Sequence, residues 1–198
     1  MESRKDNNYR KKPVFGVGIN DIDYYTRGTP VYLTWKSMLA RCYSEYTRKG
    51  NPAYEGCSVC EEWKYLSKFK EWFDQNHIDG YQLDKDILFP GNKVYSPETC
   101  CFVPQEINKL FKGHARTKGV AVGVKKQYNK FVSEFRADGK RYRMSFDTLE
   151  DARDFYNKHR LMHLFDVSER CYKEKKLSRI ICNAIINYGL EVYERESA

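Results

Sequence analysis

The sequence predicts an α+β fold, in which helices pack around a small strand-turn-strand-helix unit and a three-stranded antiparallel sheet with one helix follows. Three observations carry that reading. Apolar residues recur at helical spacing between residues 30 and 76, they alternate with period two between residues 119 and 146, and a capped helical stripe resumes after Thr148. With 41% hydrophobic residues in a chain of 198, there is enough apolar material for one core or two small ones.

The opening residues, "MESRKDNNYRKKP", are polar and basic without periodicity and read as an arm. "VFGVGINDIDYY" reads as a short extended segment; its G-V-G-I-N is no phosphate loop, because no lysine or opening helix follows at the required spacing. From Pro30, Leu33, Trp35, Met38, Leu39 and Cys42 lie close to an i, i+3, i+4, i+7 pattern, which predicts a helix with a core-facing stripe. "TRKGNPAYEGC" is a loop. Val59, Trp63, Leu66, Phe69, Trp72 and Phe73 continue in helical rhythm, as one long helix or two broken near Ser67, with Ser58 or Ser67 as the cap.

"YQLDKDIL" then reads as a strand, "FPGNK" as a turn, "VYSPETCCFV" as a second strand, and "PQEINKLFKG" as a helix that opens on Pro and closes on Gly. "GHARTK", residues 113–118, is a linker. Beyond it Phe131, Ser133 and Phe135 share one strand face and Val132, Glu134 and Arg136 the other, while Asp138-Gly139 signals a hairpin. Thr148 caps a helix with Glu150 and Asp151 in its first turn and a stripe of Leu149, Ala152, Phe155, Tyr156 and Leu164. "KLSRIICNAIINYG" predicts a last helix before a charged tail.

Charge is unevenly spread. Residues 1–51 carry +5, residues 52–110 carry −4, residues 111–146 hold ten basic against two acidic residues for +8, and residues 147–198 carry −1. Such a layout suits a chain that grips a polyanion with its basic blocks and sets acids between them. No run of 18 apolar residues occurs and the opening residues lack the apolar stretch of a secretory signal, so a soluble, cytoplasmic protein is expected, with no membrane partner. Seven cysteines without an export signal are expected to be reduced thiols, and of the neighbours Cys100 and Cys101 only one is expected to point inward. Cys57 and Cys60 form a C-x-x-C, but the later pair lacks the two-residue gap and Cys60 fits the apolar stripe, so structural zinc is not expected.

Asp84 and Asp86, two apart near a strand end, share a face, and Asn108 on the following helix could add an amide oxygen. Hard oxygen donors in that arrangement suit a divalent metal on a phosphodiester. The run "LDKDIL..GNKVYSPETCCFVPQEIN" resembles the HNH, or His-Me finger, nucleases, and within them a degenerate phage-type branch with "LD", "GN" and "YSPENC" before a helix. The resemblance covers about residues 30–112. It implies metal-dependent cleavage of double-stranded DNA with Mg2+ or Mn2+, Asp84 and Asn108 as metal ligands and Asn92 as the structural loop asparagine, in the cytoplasm of a phage's host cell. Where such an enzyme places its general-base histidine this chain has Lys85, protonated at neutral pH. Either Asp86 takes the base role, or the metal alone activates water, or catalysis has been lost. His77 and His114 flank the unit and could approach it.

"NKFVSEFRADGKRYRMSFDTLEDARDFY" in turn resembles the APETALA/ERF-type DNA-binding domain, whose three-stranded sheet lies in the major groove with a helix behind it. That likeness implies an exposed sheet face presenting Lys125, Lys126, Lys130, Arg136, Lys140, Arg141 and Arg143 to DNA. The expected organisation is therefore a basic arm and extended segment (1–29), an HNH-like domain (30–112), the APETALA/ERF-type domain (119–166), and a C-terminal helix and tail (167–198). Two functions are expected to compete: a homing-type HNH-like endonuclease, and a catalytically inactive DNA-binding regulator or inhibitor that keeps the nuclease fold. In a third, the acidic middle binds a protein partner.

Overall fold

A computed structural model describes residues 12–24, 26–111 and 120–197. The expected arm up to residue 11, the linker at 113–118 and His114 lie outside the described residues. The fold is mixed α+β, as expected, and the chain groups into two compact units: Met1–His77 with Gly91–Cys100, and Ile78–Pro90 with Cys101–Ala198.

The first unit is built on α1 (Pro30–Tyr43), which starts where Thr29 accepts the Tyr32 N–H through its side chain and Pro30 takes the first helical position. Val31, Tyr32, Trp35, Met38, Leu39 and Cys42 are buried along one side. Leu33, expected on that stripe, is instead 53% exposed, because two residues along a helix is a rotation of about 200° away from Trp35. Next comes α2 (Glu45–Gly50), capped by Ser44. In place of the expected long helix, or two broken near Ser67, the chain forms β1 (Ser58–Val59), a 3-10 turn (Glu62–Lys64) and α3 (Leu66–Asn76), so a break does fall beside Ser67 but the segment before it opens as a strand. Neither expected serine caps α3 with its own side chain. Asp21 does so from a distant segment, accepting the Ser67 N–H (2.9 Å) and hydroxyl (2.5 Å) on its two carboxylate oxygens. The Trp35 indole donates to the Trp63 carbonyl at 2.7 Å, and Trp63 packs edge-on against Phe69. Gly18 is required here, since a Cβ on it would lie 2.3 Å from a Leu39 methyl.

"VYSPETCCFV" is not one strand. The SPET segment folds into a turn, with the Cys100 N–H donating to the Ser96 carbonyl, and divides it. Before the turn, β3 (Val94–Tyr95) pairs parallel with β1 in the first unit. After it, β4 (Cys101–Pro104) pairs antiparallel with β2 (Tyr81–Asp84) in the second. Cys100 and Cys101 are consequently both buried, against the alternation expected of a single strand, each belonging to a different unit.

In the second unit α4 (Gln105–Phe111) follows β4 directly. The sheet β5 (Val124–Gln127), β6 (Lys130–Ala137) and β7 (Lys140–Phe146) is antiparallel in chain order. Asp138 and Gly139 both have positive φ, as the tight β6–β7 hairpin demands. Thr148 caps α5 (Leu149–Lys173) as expected, and α6 (Arg179–Ser197) returns along it. Helix α5 runs past the expected end at residue 166 because its last turns supply core residues. Ile87, Cys101, Val103 and Ile107 share one core with Leu164, Val167, Cys171, Leu177, Cys182 and Ile185. Compactness thus groups β2, β4 and α4 with the C-terminal sheet and helices, where the sequence divides the chain at residues 112–119. No described helix is long and apolar enough to cross a membrane.

Candidate functional site

Around Asp84 the second unit gathers four of the expected site residues. The Asp84 Oδ1 accepts the backbone N–H groups of Asp86 (2.8 Å) and Ile87 (2.9 Å), so the carboxylate closes the turn that ends β2. Burial pushes the Asp84 carboxyl above the ordinary carboxylate range; the two amide bonds pull the other way, and the Asp86 charge adds to the rise. Lys85, where the nuclease resemblance would place a general base, is only 4% exposed, alternating inward with Leu83 and Ile87. Its ammonium lies 2.6 Å from Asp86 Oδ1. Asn108, buried on α4, donates its amide to Gln82 Oε1 at 3.2 Å, on the strand face that Gln82 shares with Asp84.

These residues do not fit a hard divalent ion as arranged. A metal ligand must be open, whereas one Asp84 oxygen holds two amides and a buried ammonium already compensates Asp86. Asn92 lies in the first unit, where its side chain donates to the Val94 carbonyl (2.7 Å) and accepts the Val94 N–H (3.0 Å), the geometry of a loop-holding residue. His77, also in the first unit, stacks on Phe73 with ring centroids 4.2 Å apart.

All seven basic residues expected on the sheet are exposed, but they do not share one face. In the register of β6 with its neighbours, the row Phe131, Ser133, Phe135 carries Val124 and Lys126 from β5 and Phe146, Met144, Tyr142 and Lys140 from β7. That face packs on α5: Phe135 meets Tyr156 edge-on, Tyr142 stacks on His159 and Phe146 tilts against Phe155. The opposite face presents Lys125, Lys130, Arg136, Arg141 and Arg143. Lys126 and Lys140 therefore stand in rows of the helix-packed face, at the sheet's margins. Strand alternation allows nothing else, since Lys125–Lys126 and Lys140–Arg141 are neighbours in sequence.

On the open face Arg136 and Arg141 are direct cross-strand partners, an arrangement that costs stability unless an anion bridges them. Glu134 does so, accepting Arg136 Nε at 2.8 Å and Arg141 Nη2 at 2.6 Å. Hydrogen bonding from Arg141, and then from Arg136, holds the Glu134 carboxyl below its usual range. Lys130 pairs with Asp147, and Arg143 donates to Gln127 Oε1 at 3.3 Å. The bridging role of Glu134 was not assigned from sequence, although it stands two residues before Arg136 on the same face.

A further grouping joins three elements of the second unit. Glu106 from α4, Asp138 from the β6–β7 hairpin and His163 from α5 bring one side-chain donor each to within 4.8 Å of one another. Residues so far apart in sequence carry no spacing signal that could have announced this. Comparison with protein-family models, curated proteins and solved structures gave no match to this chain.

Proposed function

We propose that the chain binds double-stranded DNA through the open face of β5–β6–β7, without cleaving it. The observation that carries this reading is the set of five exposed cations on one sheet face, including an arginine pair whose mutual repulsion only an anion relieves. Phosphates can replace Glu134 in that role, and arginines in a major groove read guanine edges while lysines fix position on the backbone. The likeness to the APETALA/ERF-type sheet agrees with it. Lys85 supports the absence of hydrolysis: a buried ammonium paired with Asp86 occupies the place where water would be activated.

Fluorescence anisotropy with a duplex library across a salt series tests the interface. Arg136→Ala and Arg141→Ala are expected to weaken binding by about 1–3 kcal/mol at a preferred sequence and to flatten the salt slope by about one each. Glu134→Gln should tighten binding, and Lys140→Ala should change it least. Equal affinities throughout would remove the sheet from the interface. Incubation of supercoiled DNA with Mg2+ or Mn2+ is expected to give no nicking. Nicking that disappears in Asp84→Ala would instead establish the metal-dependent endonuclease.

A further inference from the structure

We propose that Glu106, Asp138 and His163 form a binding site for a zinc-class transition-metal ion, tying the β6–β7 hairpin to helix α4. His163 is 8% exposed and points between the two carboxylates. Its Nδ1 lies 3.4 Å from Asp138 Oδ2 and its Nε2 lies 3.9 Å from Glu106 Oε2. Both separations are longer than an ordinary N–H···O hydrogen bond, yet one donor atom from each of the three residues lies within 4.8 Å of the other two. An ion on Nδ1, with Asp138 Oδ2 as its neighbouring ligand and Glu106 swung in as the third, would satisfy that nitrogen. A separation of 3.4 Å is that of two ligands at a tetrahedral centre with bonds of about 2.1 Å, the length typical of zinc to imidazole or carboxylate.

The surroundings are those of a ligand sphere. Glu106 gives its other oxygen, Oε1, to Arg170 at 2.6 Å, which turns Oε2 toward His163, as outer partners orient metal-bound carboxylates. His163 is fixed from the opposite side by Phe135, edge-on with ring centroids 6.0 Å apart. Two carboxylates with one guanidinium leave a net negative charge for a cation to neutralise. One imidazole nitrogen with two carboxylates favours zinc and its neighbours over magnesium or calcium, which prefer all-oxygen sets. Asp138 and Gly139 link Arg136 to Lys140 and Arg141, so the ion would anchor the tip of the hairpin that carries the cationic face.

The test uses the full chain with Zn2+ in calorimetry and melting, and with Co2+ in absorption spectroscopy. One saturable equivalent is expected, with a melting temperature raised by about 5–10 °C at a hundredfold excess over Kd. The cobalt spectrum should be tetrahedral and free of thiolate charge transfer. Asp138→Asn suits the positive φ of the turn, and Glu106→Gln keeps the side-chain shape, so both should fold. Each is expected to weaken the metal by more than about tenfold, beyond the smallest loss usual for an outer-sphere partner. The site is overturned by no saturable binding to the native chain, by unchanged binding in both variants, or by a thiolate band placing the ion on the cysteines. It is equally overturned if the cluster proves to be an ion pair of protonated His163, with melting that responds to acid and not to metal.

Discussion

Asp84 sits where a carboxylate is costly and useful at once. Its Oδ1 holds two amides of the turn after β2, while burial raises its proton affinity above that of the unfolded chain. The native state therefore binds this proton more tightly than the unfolded state does, and the Asp84 contribution to stability grows as pH falls through the native pKa and is least at neutral pH. Asp84→Asn keeps an acceptor for both amides without the buried charge. In thermal melts its stability relative to the native chain should be more favourable at pH 7 than at pH 5, whereas Asp84→Ala should lose about 1–3 kcal/mol at both from the unsatisfied amides. At this scale the sequence is a partial guide. A lysine between two acids at position 85 is legible in the chain alone, but an Asp-Lys-Asp run reads as a hydrated strand end. Only tertiary packing turns the lysine inward beside Leu83 and Ile87.

Among the elements, the three-stranded sheet was the most legible, because period-two alternation, an Asp-Gly hairpin and a Thr cap are local signals that the fold keeps. The parallel β1–β3 pair was illegible: two-residue strands carry no periodicity, and their partners are 36 residues apart in sequence. The entry to β5 shows how closely helix and sheet approach. Gly123 has a φ of +69°, and a Cβ there would lie 2.0 Å from the Tyr156 ring on α5. Gly123→Ala should therefore destabilise the chain by about 2–4 kcal/mol in chemical denaturation, combining left-handed strain with displacement of a packed aromatic. An equal-stability result would mean that Tyr156 can swing aside freely.

For the molecule as a whole, the expected boundary near residue 112 runs through a shared core. Residues 119–166 retain the sheet and much of α5, but they lose Val167, Cys171, Leu177, Cys182 and Ile185 together with Ile87, Cys101, Val103 and Ile107. A fragment of residues 119–166 should accordingly lack a cooperative melting transition by circular dichroism, while the full chain keeps one. A sharp transition in the fragment would show that Val124, Phe135, Ala152 and Tyr156 suffice as a core.

The interleaving of the two units also bears on birth at the ribosome. The first unit is unfinished when His77 has been made, since β3 and Tyr95 arrive only with residues 91–100. At ~5–20 residues per second that wait is about one to five seconds. The apolar residues of β2, β4 and α4 must then wait until α6 emerges before the core they share with it can close.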